Sequence, residues 1–142
     1  MKTISLWQPW ATLVAIGAKR YETRSWATKY RGLLAIHAAK KMEIVQKEFC
    51  LQEPFFSALQ EAGYTVGKLP LGGIVAVVKL VEIVRVEAVV RSLSKSELAF
   101  GNYAAGRYAW KLEMVKCLEK PIPMNGAQSL FDVADDLIMR FM

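Results

Sequence analysis

Gly73-Ile74-Val75-Ala76-Val77-Val78-Lys79-Leu80-Val81-Glu82-Ile83-Val84-Arg85-Val86 is dense in Val and Ile. Side chains branched at Cβ pack well on a pleated surface, so a long β stretch is predicted from Gly73 to about Val90. Its most apolar part, Leu69 to Val78, is too short to cross a bilayer and leads into Lys79 and Glu82. Glu82 falls in register with Leu80, Val84 and Val86, an otherwise apolar face. A carboxylate buried there alone is very unfavourable. Either it answers Arg24 or Lys19 across the fold, or a bulge switches the face; the bulge is the favoured reading.

Downstream, Ser94 to Phe100 reads as a short helix, with Glu97 three residues after Ser94 at capping-box spacing. Arg107 to Met114 alternates. Tyr108, Trp110, Leu112 and Met114 face one way, and Arg107, Ala109, Lys111 and Glu113 the other, as in a half-buried strand. Asn125-Gly126 favours a tight turn, and Gln128 to Val133 forms a last strand before a helical tail.

Upstream, Met42 to Gly63 is mostly helical and broken at Pro54, because the residue before a proline resists the α conformation. Leu33 to Ala38 and Tyr21 to Trp26 read as strands around a turn at Lys29 to Gly32. Gln8-Pro9-Trp10 opens a helix whose face carries Trp10, Leu13 and Val14 and which Gly17 is placed to end. Thr3 to Leu6 is a first strand. Short strands with mixed, local connections and a few helices indicate an α+β fold: a small mixed or antiparallel β-barrel with peripheral helices.

The 142 residues fit one domain, with 54% hydrophobic residues to fill a core and 23% charged residues for a shell. The start lacks the apolar region and cleavage site of a signal peptide. Cys50 and Cys117 are the only cysteines, which fits a reduced cytoplasmic compartment better than a disulfide framework. The net charge of +6 is uneven. Residues 1–47 hold nine Lys/Arg and two Glu, or 9 − 2 = +7, while residues 48–142 hold ten against eleven, or −1. A cationic first third concentrates anionic partners, nucleic acid foremost; the alternative is a solvated basic surface.

Several familiar sites are absent. There is no Cys-x-x-Cys pair and only one histidine, so neither a protein-built metal site nor any cofactor is expected. Leu71-Gly72-Gly73 fits no phosphate loop. His37, between Ile36 and Ala38, reads as a packing residue. What remains is Gly17-Ala18-Lys19-Arg20-Tyr21-Glu22-Thr23-Arg24-Ser25-Trp26. On a strand Glu22, Arg24 and Trp26 share a face, with Lys19 at the helix-to-strand junction able to swing toward them. A carboxylate between two cations can bind a phosphate, read a base edge or position a general base; equally, it can be an ion pair that only closes the barrel. Trp7, Trp10, Trp26, Tyr30, Arg31, Lys40 and Lys41 form a basic and aromatic belt around it. Trp10 and Trp110 read as core, and Trp7 and Trp26 are open to either role.

These residues resemble the ASCH (activating signal cointegrator homology) domain family, named for a domain of a eukaryotic transcription coactivator. The resemblance runs in order through Ser5-Leu6-Trp7-Gln8-Pro9-Trp10-Ala11 and Gly17-x-Lys19-x-x-Glu22-x-Arg24-x-Trp26. It continues through Tyr30-Arg31-Gly32-x-Leu34-x-Ile36-His37-Ala38, Leu69-Pro70-x-Gly72, Gly106-Arg107-Tyr108-Ala109-Trp110 and Pro121-Ile122-Pro123 with Gly126 and Gln128. It spans nearly the whole chain, so residues 1–142 are expected to be one ASCH domain. The resemblance implies a barrel similar to the PUA fold and a cleft between barrel and helices. The implied cleft residues are Lys19, Glu22 and Arg24, with Gln8, Trp10 and Trp26 beside them, and Arg31, Lys40, Lys41 and Arg107 as backbone contacts to nucleic acid. Two departures bear on role: Glu22 stands where the family's amidohydrolase branch has its threonine nucleophile, and Asn125 and Ala127 stand where lysines are common.

Two functions follow as expectations. In the first, the protein binds nucleic acid, foremost single-stranded or structured RNA. In the second, it is a small hydrolase of ribonuclease or amidohydrolase type acting on RNA or a modified nucleoside. Lys19 would then be base or clamp, Glu22 proton acceptor or orienting group, and Arg24 their partner. A lysine works as a base near neutral pH only if its pKa falls, and Glu22 pushes the other way, so catalysis ranks second. No membrane partner is expected, and the protein is expected to be a monomer or a weakly associated dimer.

Overall fold

The computed structural model describes residues 1–142. Six strands, β1 (Lys2–Leu6), β2 (Tyr21–Arg24), β3 (Gly32–Ala38), β4 (Gly73–Arg85), β5 (Tyr108–Pro123) and β6 (Leu130–Asp132), form one sheet in the order β2-β5-β4-β3-β1-β6. Only β1 and β3 run parallel, with Ser5 opposite His37. The other pairs are antiparallel. The sheet curls into a half-barrel, an α+β architecture with five helices. These are α1 (Trp10–Ala15), α2 (Ile44–Cys50), α3 (Phe55–Glu61), α4 (Lys95–Phe100) and α5 (Asp135–Met139), none long and apolar enough to cross a membrane.

Bulges produce the curl. An extra residue on one strand bends it and sharpens its twist. Register shifts fall between Ile74 and Ala76, Val77 and Val78, and Leu80 and Glu82 of β4, and between Ile36 and His37 of β3. The shift after Leu80 settles Glu82: it is exposed and opposite Lys111, while Ile83 turns inward. Inside the curl lie Ile4, Leu6, Leu34, Ile36, Val78, Leu80, Trp110 and Leu112, with α1 plugging one side through Ala11, Val14 and Ala15. Leu13, on the other face of α1, packs with Cys50, Phe55, Leu59 and Phe100 beneath α2, α3 and α4. Ile138 of α5 covers the outer face at Ala35, Ile74 and Val77.

Three expectations are corrected. The chain leaves the sheet at Arg85 and forms single 3-10 turns at Val86–Ala88 and Val90–Ser92. There Val86 N–H donates to Arg107 O (3.0 Å) and the Glu87 carboxylate accepts the Gly106 N–H (2.6 Å), so local bonding overrides β propensity. Strand β5 runs to Pro123 rather than Met114. Beyond Leu112 most of its residues are exposed, which erases the alternation that marks a strand. Short β2 pairs only Tyr108 to Lys111, so one edge of the later part of β5 is open and tolerates Pro121 and Pro123. Asn125-Gly126 makes no turn, because β6 pairs with β1 and not with β5.

Candidate functional site

Gly17 (φ +79°) ends α1 in the left-handed region that glycine adopts without a Cβ clash. The chain then doubles back so that Lys19 N–H donates to Leu13 O (3.0 Å). This turns the Lys19 side chain inward, where it is 1% exposed, donates to Tyr21 O and lies 3.5 Å from Glu22 Oε1. Glu22 Oε1 also accepts the Thr23 N–H (3.1 Å), and its Oε2 lies 3.1 Å from Arg24 Nη2. Arg24 Nη2 donates onward to Ser5 O on β1 (3.3 Å). The charged row Lys19–Glu22–Arg24 therefore runs from the interior to the surface.

At its outer end is a cleft of about 420 Å³ between the half-barrel and the helices. Trp7, Trp10, Phe49 and Phe100 supply its aromatic surface, and Glu22, Arg24, Asn102 and Arg107 its polar groups. Trp10 is clamped edge-on by Phe49 (5.3 Å) and Phe55 (6.1 Å), whereas Trp7 is 44% exposed. One wall is the segment after α4. Asn102 N–H donates to Thr23 Oγ1 (3.0 Å), and Arg107 donates to Asn102 O (3.1 Å) and Thr23 O (3.3 Å). Gly101 allows that approach, since a Cβ there would lie 2.7 Å from the Tyr103 ring.

Beneath this wall Glu97 Oε1 accepts the Arg20 N–H (2.8 Å), while Oε2 is buried without a partner. Burial pushes the Glu97 carboxyl above its usual range, against the opposing pull of the Arg20 N–H and the Lys19 charge. The Tyr103 hydroxyl, also buried and unpartnered, is pushed up by burial first and then by the Glu97 charge.

A second hollow of about 580 Å³ adjoins the cleft and shares Leu6, Trp7 and Arg24 with it. Ile4, Ser5, His37, residues 39–41 and residues 126–129 complete its lining. His37 Nε2 is 2.8 Å from Met124 O, and a carbonyl can only accept, so Nε2 carries the proton. In the neutral ring Nδ1 is then the acceptor for the Ser5 hydroxyl, 2.9 Å away.

The ASCH domain family model matches residues 4–122. This chain belongs to the ASCH domain family. Its fold is similar to the crystal structure of ASCH from Zymomonas mobilis (TM-score 0.58, 16% identity, covering 98% of this chain and 91% of that one). It is also similar to two single-substitution mutants of that protein, each with TM-score 0.57. These are 15% and 16% identical, cover 98% of this chain, and span 92% and 94% of theirs. No curated protein matches it.

Of the six residues expected to line a cleft, Trp10, Glu22 and Arg24 border the hollow of about 420 Å³. Lys19 lies behind Glu22 and borders a different hollow, with Arg20, Tyr21 and Lys111. Gln8 is buried and lines neither hollow. It donates to Thr12 Oγ1 and Pro70 O (both 2.8 Å) and accepts the Thr12 N–H (2.9 Å), bracing the start of α1. Strand β2 stops at Arg24, and Trp26 packs edge-on against Trp110 (4.9 Å) instead of extending the row. Arg107 borders the cleft, Lys40 and Lys41 the second hollow, and Arg31 neither, its guanidinium capping Thr28 O and Tyr30 O.

Phe49, Phe100 and Asn102 in the cleft and Ser5 in the second hollow escaped the sequence reading. The two phenylalanines look like helix core in one dimension, and nothing in the sequence brings Asn102 to Thr23 or Ser5 to His37.

Proposed function

We propose that this ASCH domain binds nucleic acid, RNA foremost, by taking an unpaired base into the cleft between half-barrel and helices. The observation that carries the reading is Trp7, a half-exposed indole at the edge of a hollow that also presents Glu22, Arg24, Asn102 and Arg107. Base-on-aromatic stacking contributes about 1–3 kcal/mol per base and tolerates any sequence, while the polar groups offer donors and acceptors to a base edge. The +7 balance of residues 1–47 supplies the attraction for the backbone. Hydrolysis ranks below binding because Lys19, its strongest candidate base, is enclosed behind Glu22 and already donates to Tyr21 O. The same reading places the protein in the reducing cytoplasm, as a monomer or weakly associated dimer.

Fluorescence anisotropy with labelled single-stranded RNA, duplex RNA and single-stranded DNA at two salt concentrations tests this, with a gel to detect cleavage. Each neutralised phosphate adds about −0.7 to the log–log salt slope for single strands. Arg24→Ala and Arg107→Ala should each flatten that slope and weaken binding. Affinity indifferent to salt and to both substitutions would overturn the reading, and RNA cut by the wild type would restore the hydrolase.

A further inference from the structure

The second hollow has a composition that the cleft does not. Arg24, Lys40 and Lys41 border it and no Asp or Glu does. Neither lysine is in an ion pair, and the buried Nε of Arg24 has no partner. Two unpaired lysines beside Arg24, whose carboxylate partner Glu22 lies on the cleft side, form a local excess of positive potential that an anion relieves.

The hollow is also held together by backbone. Ala39 N–H donates to Leu6 O (2.8 Å), Gly72 N–H to Ala38 O (2.9 Å), and Met124 N–H to Gly72 O (3.0 Å). The ends of β1, β3 and β5 are thereby knitted into one rim. Gly126 lies so close to the floor that a Cβ would sit 2.8 Å from His37 Cε1 and 3.0 Å from Ser5 Oγ. Ser129, on the lining, is the one non-glycine residue with positive φ (57°), a conformation that persists only where its surroundings impose it.

Leu6, Trp7 and Arg24 line both this hollow and the cleft. A ligand that spans them puts an aromatic, edge-readable group on one side and an anion on the other. We propose that the second hollow is the phosphate half of a nucleotide site, holding the phosphate attached to the nucleoside whose base enters the cleft. This rests on the base-binding reading of the cleft. Arg24, with Nη2 held by Glu22 and Ser5 O, leaves Nη1 to a ligand, and Lys40 and Lys41 offer point charges. A phosphate monoester carries more charge than a diester, so a terminal phosphate is favoured over an internal one. Free nucleotides and phosphorylated RNA ends share this chemistry.

NMR titration tests the proposal with the four ribonucleosides, their 5′- and 3′-monophosphates, inorganic phosphate, and a pentaribonucleotide with and without a terminal phosphate. Wild type and a Lys40→Ala, Lys41→Ala double variant are compared; both lysines are exposed, so the fold tolerates the change. At least one monophosphate should bind about tenfold tighter than its nucleoside and move the Gly126 and Ser129 amides. The double variant should bring it down to the nucleoside's level. If only the pentanucleotide gains from its phosphate, the source is an RNA end; if the mononucleotide gains equally, it is a free nucleotide. A terminal phosphate that tightens neither the mononucleotide nor the pentanucleotide, or an advantage that survives in the double variant, overturns the phosphate site. If inorganic phosphate moves Gly126 in wild type alone while no nucleoside or nucleotide touches the cleft, the phosphate hollow stands and the base-binding reading falls. No response to any probe removes both.

Discussion

Lys19 and Glu22 lie 3.5 Å apart with the lysine side chain wholly buried and the carboxylate nearly so. Removing one partner of such a pair leaves the other poorly compensated and costs about 3–5 kcal/mol, while an apolar side chain of similar volume often restores much of it. Lys19→Ala is therefore expected to lose about 3 kcal/mol and Lys19→Met distinctly less, as read from urea unfolding. Equal losses would show that the charge of Lys19, and not its packing volume, sets its role.

Gly126 against His37 gives a second expectation. Gly126→Ala forces its Cβ into the imidazole, which overpacks the floor at a cost of about 1–3 kcal/mol. His37→Ala removes both the obstacle and the bonds to Ser5 and Met124. The double variant should be more stable than the sum of the single losses predicts, and a double-mutant cycle measures that coupling. Strict additivity would mean that the 124–129 segment does not rest on His37.

Glu97 predicts a pH dependence. Burial holds its folded carboxyl above the ordinary value of 4.5, so the folded state binds this proton more tightly than the unfolded chain. Stability from this group is complete below 4.5 and is lost as pH rises through the folded value. Glu97→Gln keeps an acceptor for the Arg20 N–H and does not titrate. Its stability relative to wild type should rise from acid to neutral pH and then level off, by about 1.4 kcal/mol per unit of elevation. A difference flat in pH would show that its surroundings do not raise the Glu97 carboxyl.

The two thiols should separate by reactivity. Cys117 is exposed, whereas Cys50 is buried beside Phe55 and Leu59, donates to Gln46 O (3.3 Å) and has its pKa raised by burial. An aromatic disulfide reagent should modify one thiol quickly in the native protein, and Cys117→Ser should abolish that phase. The second thiol should react only in denaturant. Two fast thiols would mean that α2 opens readily.

Much of the fold is legible because the local rules agree with the tertiary outcome. Gly17 ends α1 where its position indicates, and Ser94 Oγ accepts the Glu97 N–H (3.1 Å) as the spacing suggests. The other half of that expected box does not form, because the Glu97 carboxylate reaches Arg20 across 77 residues instead. Glu82 announces its bulge because an acid on an apolar face has no cheaper explanation. The site is legible in part: Trp10, Glu22, Arg24 and Arg107 border the cleft, and Lys40 and Lys41 the second hollow. That Lys19 lies behind Glu22 rather than beside it depends on how tightly the chain folds back at Gly17, and spacing does not encode depth. The second hollow is invisible because β1, β3 and the segment after β5 meet only through a parallel pairing and two bulged ladders.

The parallel pairing of β1 with β3 bears on the order in which the molecule assembles. β1 and β2 are consecutive in the chain, yet β2 ends at one margin of the sheet and β1 toward the other, each paired with a strand that follows it. In the sheet order β1 has no strand to pair with until β3 is made, and β2 none until β5, and such distant pairings are slow because loop closure precedes their reward. During synthesis the segment bearing Trp7, Glu22 and Arg24 emerges from the ribosome ahead of every strand it docks against. The stretch that carries the site is made before the strands that hold it in place, and its cationic character keeps it solvated through that interval.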